Sequence, residues 1–314
     1  MEAVRRACAS ARAALAMAAF AVVATLGSCA ASAPPAAAYP AERPYPNSSF
    51  EESGGEVLHV RTWEPAEPRG RVLLLHGLAG STFSWRFLAP ALEAAGYAVL
   101  AVDLPPFGFS SGGVGFRDAR AAAELLWELL DRHGGGSWSL VGHSMGGRYA
   151  VAMASARPDR TERLVLVDGA VLDSGGQRAA PGRLGRWLVR AWARSALRSR
   201  GTMTRLLKSA YGRKPDDGEL DGYRAPLAQP GKADALLSWA FSPGEAVPAD
   251  PAALRVPVLL VWGAEDSWVP LEQGERLAGL VPGARLEVLP GEGHCPMETA
   301  PDAVNGLVLG FLGD

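Results

Sequence analysis

The sequence predicts an α/β protein: a mostly parallel central sheet with helices on both faces, interrupted by a helical insertion. Two observations carry that prediction. Apolar runs of strand length alternate with helix-compatible stretches along most of the chain, the order that builds parallel strands joined by crossovers. Residues able to do chemistry fall just after several of those runs, and sites in such sheets lie beyond the carboxyl ends of the strands.

Taken in order, Val57 to Trp63 alternates as a strand does, and Val72 to Leu75 is continuously apolar, as expected for a strand covered on both faces. Trp85 to Ala95 suits a helix, with Gly96 as the residue that closes it. Ala98 to Val102 is the next strand. Arg117 to Leu130 suits an amphipathic helix whose apolar face is Leu125, Leu126, Leu129 and Leu130. Ser139 to Val141 reads as a short buried strand, followed by an Ala-rich, Pro-free helix from Arg148 to Ala156. Arg163 to Val167, Pro257 to Trp262 and Arg285 to Leu289 supply further strands, and Leu271 to Leu280 and Ala300 to Leu312 further helices.

Residues 171–250 break this alternation and carry no strong strand signal. Within them, Leu184, Trp187, Leu188, Ala191, Trp192 and Ser195 share one helical face, and Arg183, Arg186, Arg190, Arg194 and Arg198 another. From Ser174 to Ala210 there are basic residues and no acidic ones. This fits a lid helix whose Trp face packs on the core and, as the alternative, an interfacial helix resting on anionic lipid.

The chain has 314 residues, 48% of them hydrophobic and 20% charged, enough for one ordinary domain with extras. A formal net charge of −2 gives no overall field that favours nucleic acid. Arg5, Arg6 and Arg12 precede an uncharged Ala- and Val-rich run from Ala13 to Ala41, the plan of a secretory signal. Leu26-Gly27-Ser28-Cys29 resembles the lipobox of bacterial lipoproteins, which would make Cys29 the lipidated first residue of the mature chain. The expectation is therefore a signal over residues 1–29, a Pro-rich flexible tether over 30–54, and export as an anchored lipoprotein or a secreted protein. An uncleaved anchor and organellar import are the alternatives. With Cys8 removed and Cys29 lipidated, Cys295 has no intrachain partner, so no disulfide framework is expected.

The chemistry centres on Trp138 to Gly147. There Gly142-His143-Ser144-Met145-Gly146 fits G-x-S-x-G, with a strand before it and a helix after it. A serine on so tight a turn needs neighbours without bulk two residues to either side. Gly142 and Gly146 supply that, and the following helix aims N–H groups at the site. The competing reading is a serine that only caps the helix. Three further loops follow apolar runs: His76-Gly77-Leu78, Asp266 within Gly263-Ala264-Glu265-Asp266-Ser267-Trp268-Val269-Pro270, and His294 within Gly291-Glu292-Gly293-His294-Cys295-Pro296. The order is Ser, Asp, His.

In combination, across about residues 55–314, these motifs resemble the α/β-hydrolase superfamily. The resemblance implies Ser144 as nucleophile, His294 as general base, Asp266 as the acid that orients it, and the backbone N–H groups of Leu78 and Met145 as the oxyanion hole. It implies a hydrolase core over 55–170 and 251–314 with a helical cap over 171–250. Asp168 also ends a strand and competes as the acid. The Gly-x-x-Asp-x-x-Val-Pro setting favours Asp266, and Asp168 is read as structural. His76 and His143 are read as loop-shaping, Asp103 as a turn residue, Glu298 as support below His294, and Cys295 as a small packed residue rather than a redox thiol. Pro106 stands where the family usually has Gly. His76 to Trp85 is similar to the capped branch that holds C–C bond hydrolases, epoxide hydrolases and small esterases, and Ser144 argues against epoxide chemistry. The expected activity is a serine hydrolase acting on a carboxylic ester of a small or amphiphilic substrate. A C–C bond hydrolase of the dienoic-acid type is the enzymatic alternative, and a non-catalytic binding protein at a membrane the alternative of another class. No metal set is visible, since His59 and His133 look isolated, and no cofactor is implied. The sequence leaves the oligomeric state open.

Overall fold

The computed structural model describes residues 43–113, 116–172, 199–240 and 250–314, with the backbone alone for 237–240. Among the described residues, eight strands form one sheet in the order β1-β2-β4-β3-β5-β6-β7-β8. They are β1 (Ser48–Ser53), β2 (Glu56–Trp63), β3 (Gly70–Leu75), β4 (Tyr97–Val102), β5 (Trp138–His143), β6 (Thr161–Val167), β7 (Val258–Gly263) and β8 (Arg285–Leu289). β1 pairs antiparallel with β2 and β2 antiparallel with β4, while β4 through β8 are parallel. The helices are α1 (Leu88–Ala94), α2 (Ala119–Arg132), α3 (Met145–Ala156), α4 (Arg200–Tyr211), α5 (Asp217–Arg224), α6 (Lys232–Ala240), α7 (Leu271–Leu280), α8 (Pro296–Thr299) and α9 (Pro301–Gly313).

The central strands are apolar because both of their faces are covered. Leu73, Leu75, Leu140, Leu164, Leu166 and Leu260 pack under α2 and α3. Val72, Leu74, Val141, Val165, Leu259 and Val261 face α1, α9 and α4. Asp118 starts α2 by accepting the N–H groups of Arg120 and Ala121, and Gly96 (φ +87°) closes the end of α1. Of the expected apolar stripe on α2, Leu126, Leu129 and Leu130 are buried, and Leu125 covers the rim near β1.

Two expectations change. Residues 48–53, assigned by sequence to a flexible tether, form edge strand β1, held by the full ladder from Ser48–Arg61 to Ser53–Glu56. His59 and His133 are not isolated. His59 Nδ1 lies 2.7 Å from Asp103 Oδ2 and its Nε2 2.7 Å from Ser48 Oγ, while His133 Nε2 lies 2.7 Å from Glu51 Oε1. The Arg/Trp helix expected at 183–198, Cys8, Cys29 and the whole expected signal lie outside the described residues. Among the described residues no helix is long and apolar enough to cross a membrane.

Candidate active site

Ser144 sits between the end of β5 and the first turn of α3, with φ +50° and ψ −118°. A positive φ is costly for a residue with a Cβ, and it persists here because the surroundings force it. A Cβ on Gly146 would collide with the carbonyl of Leu75 and lie 2.7 Å from that of His76. One on Gly142 would lie 2.6 Å from the Gly146 carbonyl. The two glycines of the motif are thus required by backbone approach. Ser144 makes no side-chain cap to α3, which removes the reading of a serine that only caps. Its Oγ lies 2.9 Å from His294 Nε2, and His294 Nδ1 lies 2.7 Å from Asp266 Oδ2. Asp266 Oδ1 accepts the N–H groups of Trp268 (2.7 Å) and Val269 (3.0 Å), which fixes the carboxylate. All three side chains are buried. The arrangement allows Oγ to pass a proton to Nε2 while Asp266 holds the other ring nitrogen.

The turn after β3 lies against this serine. A Cβ on Gly77 would lie 3.0 Å from Ser144 Cβ and 2.7 Å from His143 Nδ1. That approach brings the backbone beside Leu78 to the site. Met145 is the first residue of α3, so its N–H has no acceptor within the helix. His76 shapes this turn, with Nδ1–H donating to Gly77 O at 2.7 Å and Nε2 accepting Leu104 N–H at 2.8 Å. Burial keeps its ring from charging. His143 donates Nε2–H to His294 O at 2.7 Å. Burial first, and then the neighbouring His294, push its ring well below the usual range, leaving it neutral.

Asp103 does more than occupy a turn. It accepts from His59, from Thr82 N–H at 2.6 Å and from Phe109 N–H at 2.7 Å, and so ties the loop after β4 to the loop after β3. Burial opposes its charge, but His59, together with His76 and the Phe109 N–H, outweighs it and holds the carboxyl at about 2. The peptide bond before Pro106 is cis.

Several contacts have no signal in the sequence. Trp268 stacks on the His294 ring at 5.2 Å and donates to Ser209 Oγ. His294 N–H donates to Ala210 O at 2.7 Å, so the end of α4 clamps the histidine loop directly. Glu298, fully buried, accepts from Tyr211 OH (2.7 Å), Tyr223 OH and Arg86. Burial outweighs Arg86 and raises its carboxyl above the ordinary range. The Cys295 thiol is free, buried and pushed well above its ordinary value, first by burial and then by Glu298 and the two nearby aspartates. A low-pKa redox thiol is therefore not what this position holds.

Asp168 ends next to these groups. Its carboxyl, Asp266 and His294 place ligand atoms within 4.8 Å of one another. Burial, and then the charge of Asp266, push Asp168 well above the carboxylate range. Among the described residues this is the one cluster of three metal-capable side chains, and its histidine nitrogen is committed to Asp266.

With that geometry in view, residues 70–301 match the family described as alpha/beta hydrolase fold, and the chain belongs to it. Hydrolase is the activity class this supports. The uncharacterized hydrolase YugF of Bacillus subtilis (strain 168) is 29% identical over 279 residues, covering 85% of this chain and 98% of that protein. A 2-hydroxy-6-oxononadienedioate/2-hydroxy-6-oxononatrienedioate hydrolase of Burkholderia vietnamiensis (strain G4 / LMG 22486) is 30% identical over 278 residues, covering 82% and 92%. The crystal structure of the enol-lactonase from Burkholderia xenovorans LB400 superposes with a TM-score of 0.68 at 22% identity, covering 85% of this chain and all of that one, a likeness of fold.

Proposed function

We propose that this protein is a serine hydrolase that works through an acyl-enzyme, most naturally on a carboxylic ester of a small or amphiphilic substrate. One observation carries the reading: a serine at φ +50°, free of any capping bond, 2.9 Å from a histidine that a buried aspartate holds from behind. In this mechanism Ser144 Oγ attacks the acyl carbon as its proton passes to His294 Nε2. The N–H groups of Leu78 and Met145 receive the oxyanion. His294 returns the proton to the departing alkoxide, and water repeats the sequence to release the acid. Asp266 keeps the imidazole in the productive tautomer and stabilises its cation.

The Burkholderia vietnamiensis relative, by its name, acts on dienoic diacids, and this favours C–C bond cleavage as the second reading. Reacting the whole chain with a fluorophosphonate probe, then presenting an ester series of increasing acyl length and a dienoic C–C substrate, separates the readings. A label on Ser144 with turnover of esters supports the first. Turnover of the dienoic substrate alone supports the second. No label on folded protein contradicts both and leaves a binding module. The N-terminal proposal is export with a lipidated Cys29, which an unmodified Cys29 in the mass spectrum of the mature chain would contradict.

A further inference from the structure

Asp168 is the buried acid for which the catalytic reading has no use. It is fully buried, and its backbone sits at φ +45°, in the left-handed region unusual for a residue with a side chain. Its Oδ1 accepts Gly263 N–H at 2.9 Å, while its Oδ2 is buried with no donor. Next to it, Asp266 has filled three acceptor positions, two with the N–H groups of Trp268 and Val269 and one with His294. A carboxylate offers about four such positions. The carboxyl groups lie within 4.8 Å of each other. Two carboxylates this close and out of water do not both ionise. One proton between them satisfies the orphaned Oδ2 and the open position on Asp266 together.

We propose that Asp168 is held as a neutral carboxylic acid whose O–H donates to the Asp266 carboxylate, making it a positioning residue at the head of a chain Asp168–Asp266–His294–Ser144. The proposal rests on the reading of the last three as the catalytic triad. The titratable groups facing Asp168 are Asp266, His294, Glu292 and Cys295, and two of them are acids that disfavour its ionisation. The proton stays on Asp168 through turnover, and no bond to it is made or broken. Its effect is to lock the Asp266 rotamer with Oδ2 towards the imidazole, and to keep the charge behind that ring at one negative unit rather than two.

The test compares Asp168→Asn and Asp168→Ala with the wild-type chain. Asn is neutral and keeps a donor towards Asp266. It is expected to leave kcat/KM near wild type and the acid limb of the pH profile unmoved. Ala removes the donor and is expected to lower kcat about tenfold at unchanged KM, the scale of one hydrogen bond to a charged group. An infrared difference spectrum of wild type against Asp168→Asn at neutral pH should show the C=O band of a protonated carboxyl in the wild type only. A shift of the acid limb to lower pH in Asp168→Asn, which would mean that a negative charge had been removed, overturns the proposal. So does an absent protonated-carboxyl band, or full activity in Asp168→Ala. If Ala does not fold, the Asn profile and the infrared band decide. The band is read without turnover, so it reports on Asp168 even where Ser144→Ala shows the triad reading to be wrong.

Discussion

Glu298→Ala is the perturbation that most directly probes how helices α4 and α5 are held to the His294 loop. Glu298 has a fully buried side chain and accepts from three groups that belong to different parts of the fold. Tyr211 is on α4, Tyr223 on α5, and Arg86 in the loop after β3. Removing one partner of a buried ion pair costs about 3–5 kcal/mol. Arg86 retains some contact with water and a longer bridge to Glu219 at 3.5 Å, so the lower half of that range applies to it. Tyr223 keeps Ser84 Oγ at 3.1 Å, but Tyr211 is left with a buried, unpaired hydroxyl, worth a further ~1 kcal/mol or more. The total is about 4 kcal/mol, which for a domain of this size lowers Tm by roughly 8–16 °C. Glu298→Gln keeps the shape and can serve both tyrosines, so it should recover more than half of the loss. Thermal denaturation followed by circular dichroism, together with Tyr211→Phe alone and combined with Glu298→Ala, gives the measurement. The double mutant should be clearly less than additive, because the two groups share one bond. A Tm within about 2 °C of wild type for Glu298→Ala would refute the view of this cluster as the anchor of α4 and α5.

Two other perturbations follow from the same structure. Lys232, buried on α6 with its ammonium donating to the carbonyls of Pro106 (3.1 Å) and Ser110, is pushed by burial from 10.5 down to about 8. Between those two values the unfolded chain binds the extra proton, so stability should rise with pH by up to about 3 kcal/mol relative to Lys232→Met, and a pH-independent difference in urea midpoints would contradict this. Gly146→Ala places a methyl group against the Leu75 and His76 carbonyls and should lower kcat/KM by at least roughly 10² through displacement of Ser144; activity within tenfold of wild type would show that the turn has slack.

The positions of Ser144, Asp266 and His294 were legible because each depends on local rules. A buried strand, a glycine-flanked turn and a helix are all written within a few residues, and strand ends are where such sheets place chemistry. Boundaries moved by one to three residues, as at α2, where the Asp118 cap rather than Arg117 sets the start. What was not legible depends on distance along the chain. β1 has no strong apolar pattern and exists because β2 offers it an edge. The His59–Asp103 pair spans 44 residues, and Tyr211 reaches Glu298 across 87. The Ala210 carbonyl that holds His294 N–H is a backbone group, for which side-chain identity carries no signal. Asp168 was legible as a strand-end acid but not as a neighbour of Asp266, because the turn that brings them together is tertiary.

Ser144 and His294, 2.9 Å apart, are proposed to act as one unit, nucleophile and base. The most direct measurement is kcat on an activated ester for Ser144→Ala, His294→Ala and the double mutant, each checked for native melting. A loss of roughly 10⁴ to 10⁶ is expected for either single change, with no further loss in the double mutant. Losses that multiply in the double mutant, or ester turnover that survives in Ser144→Ala, would refute that coupling.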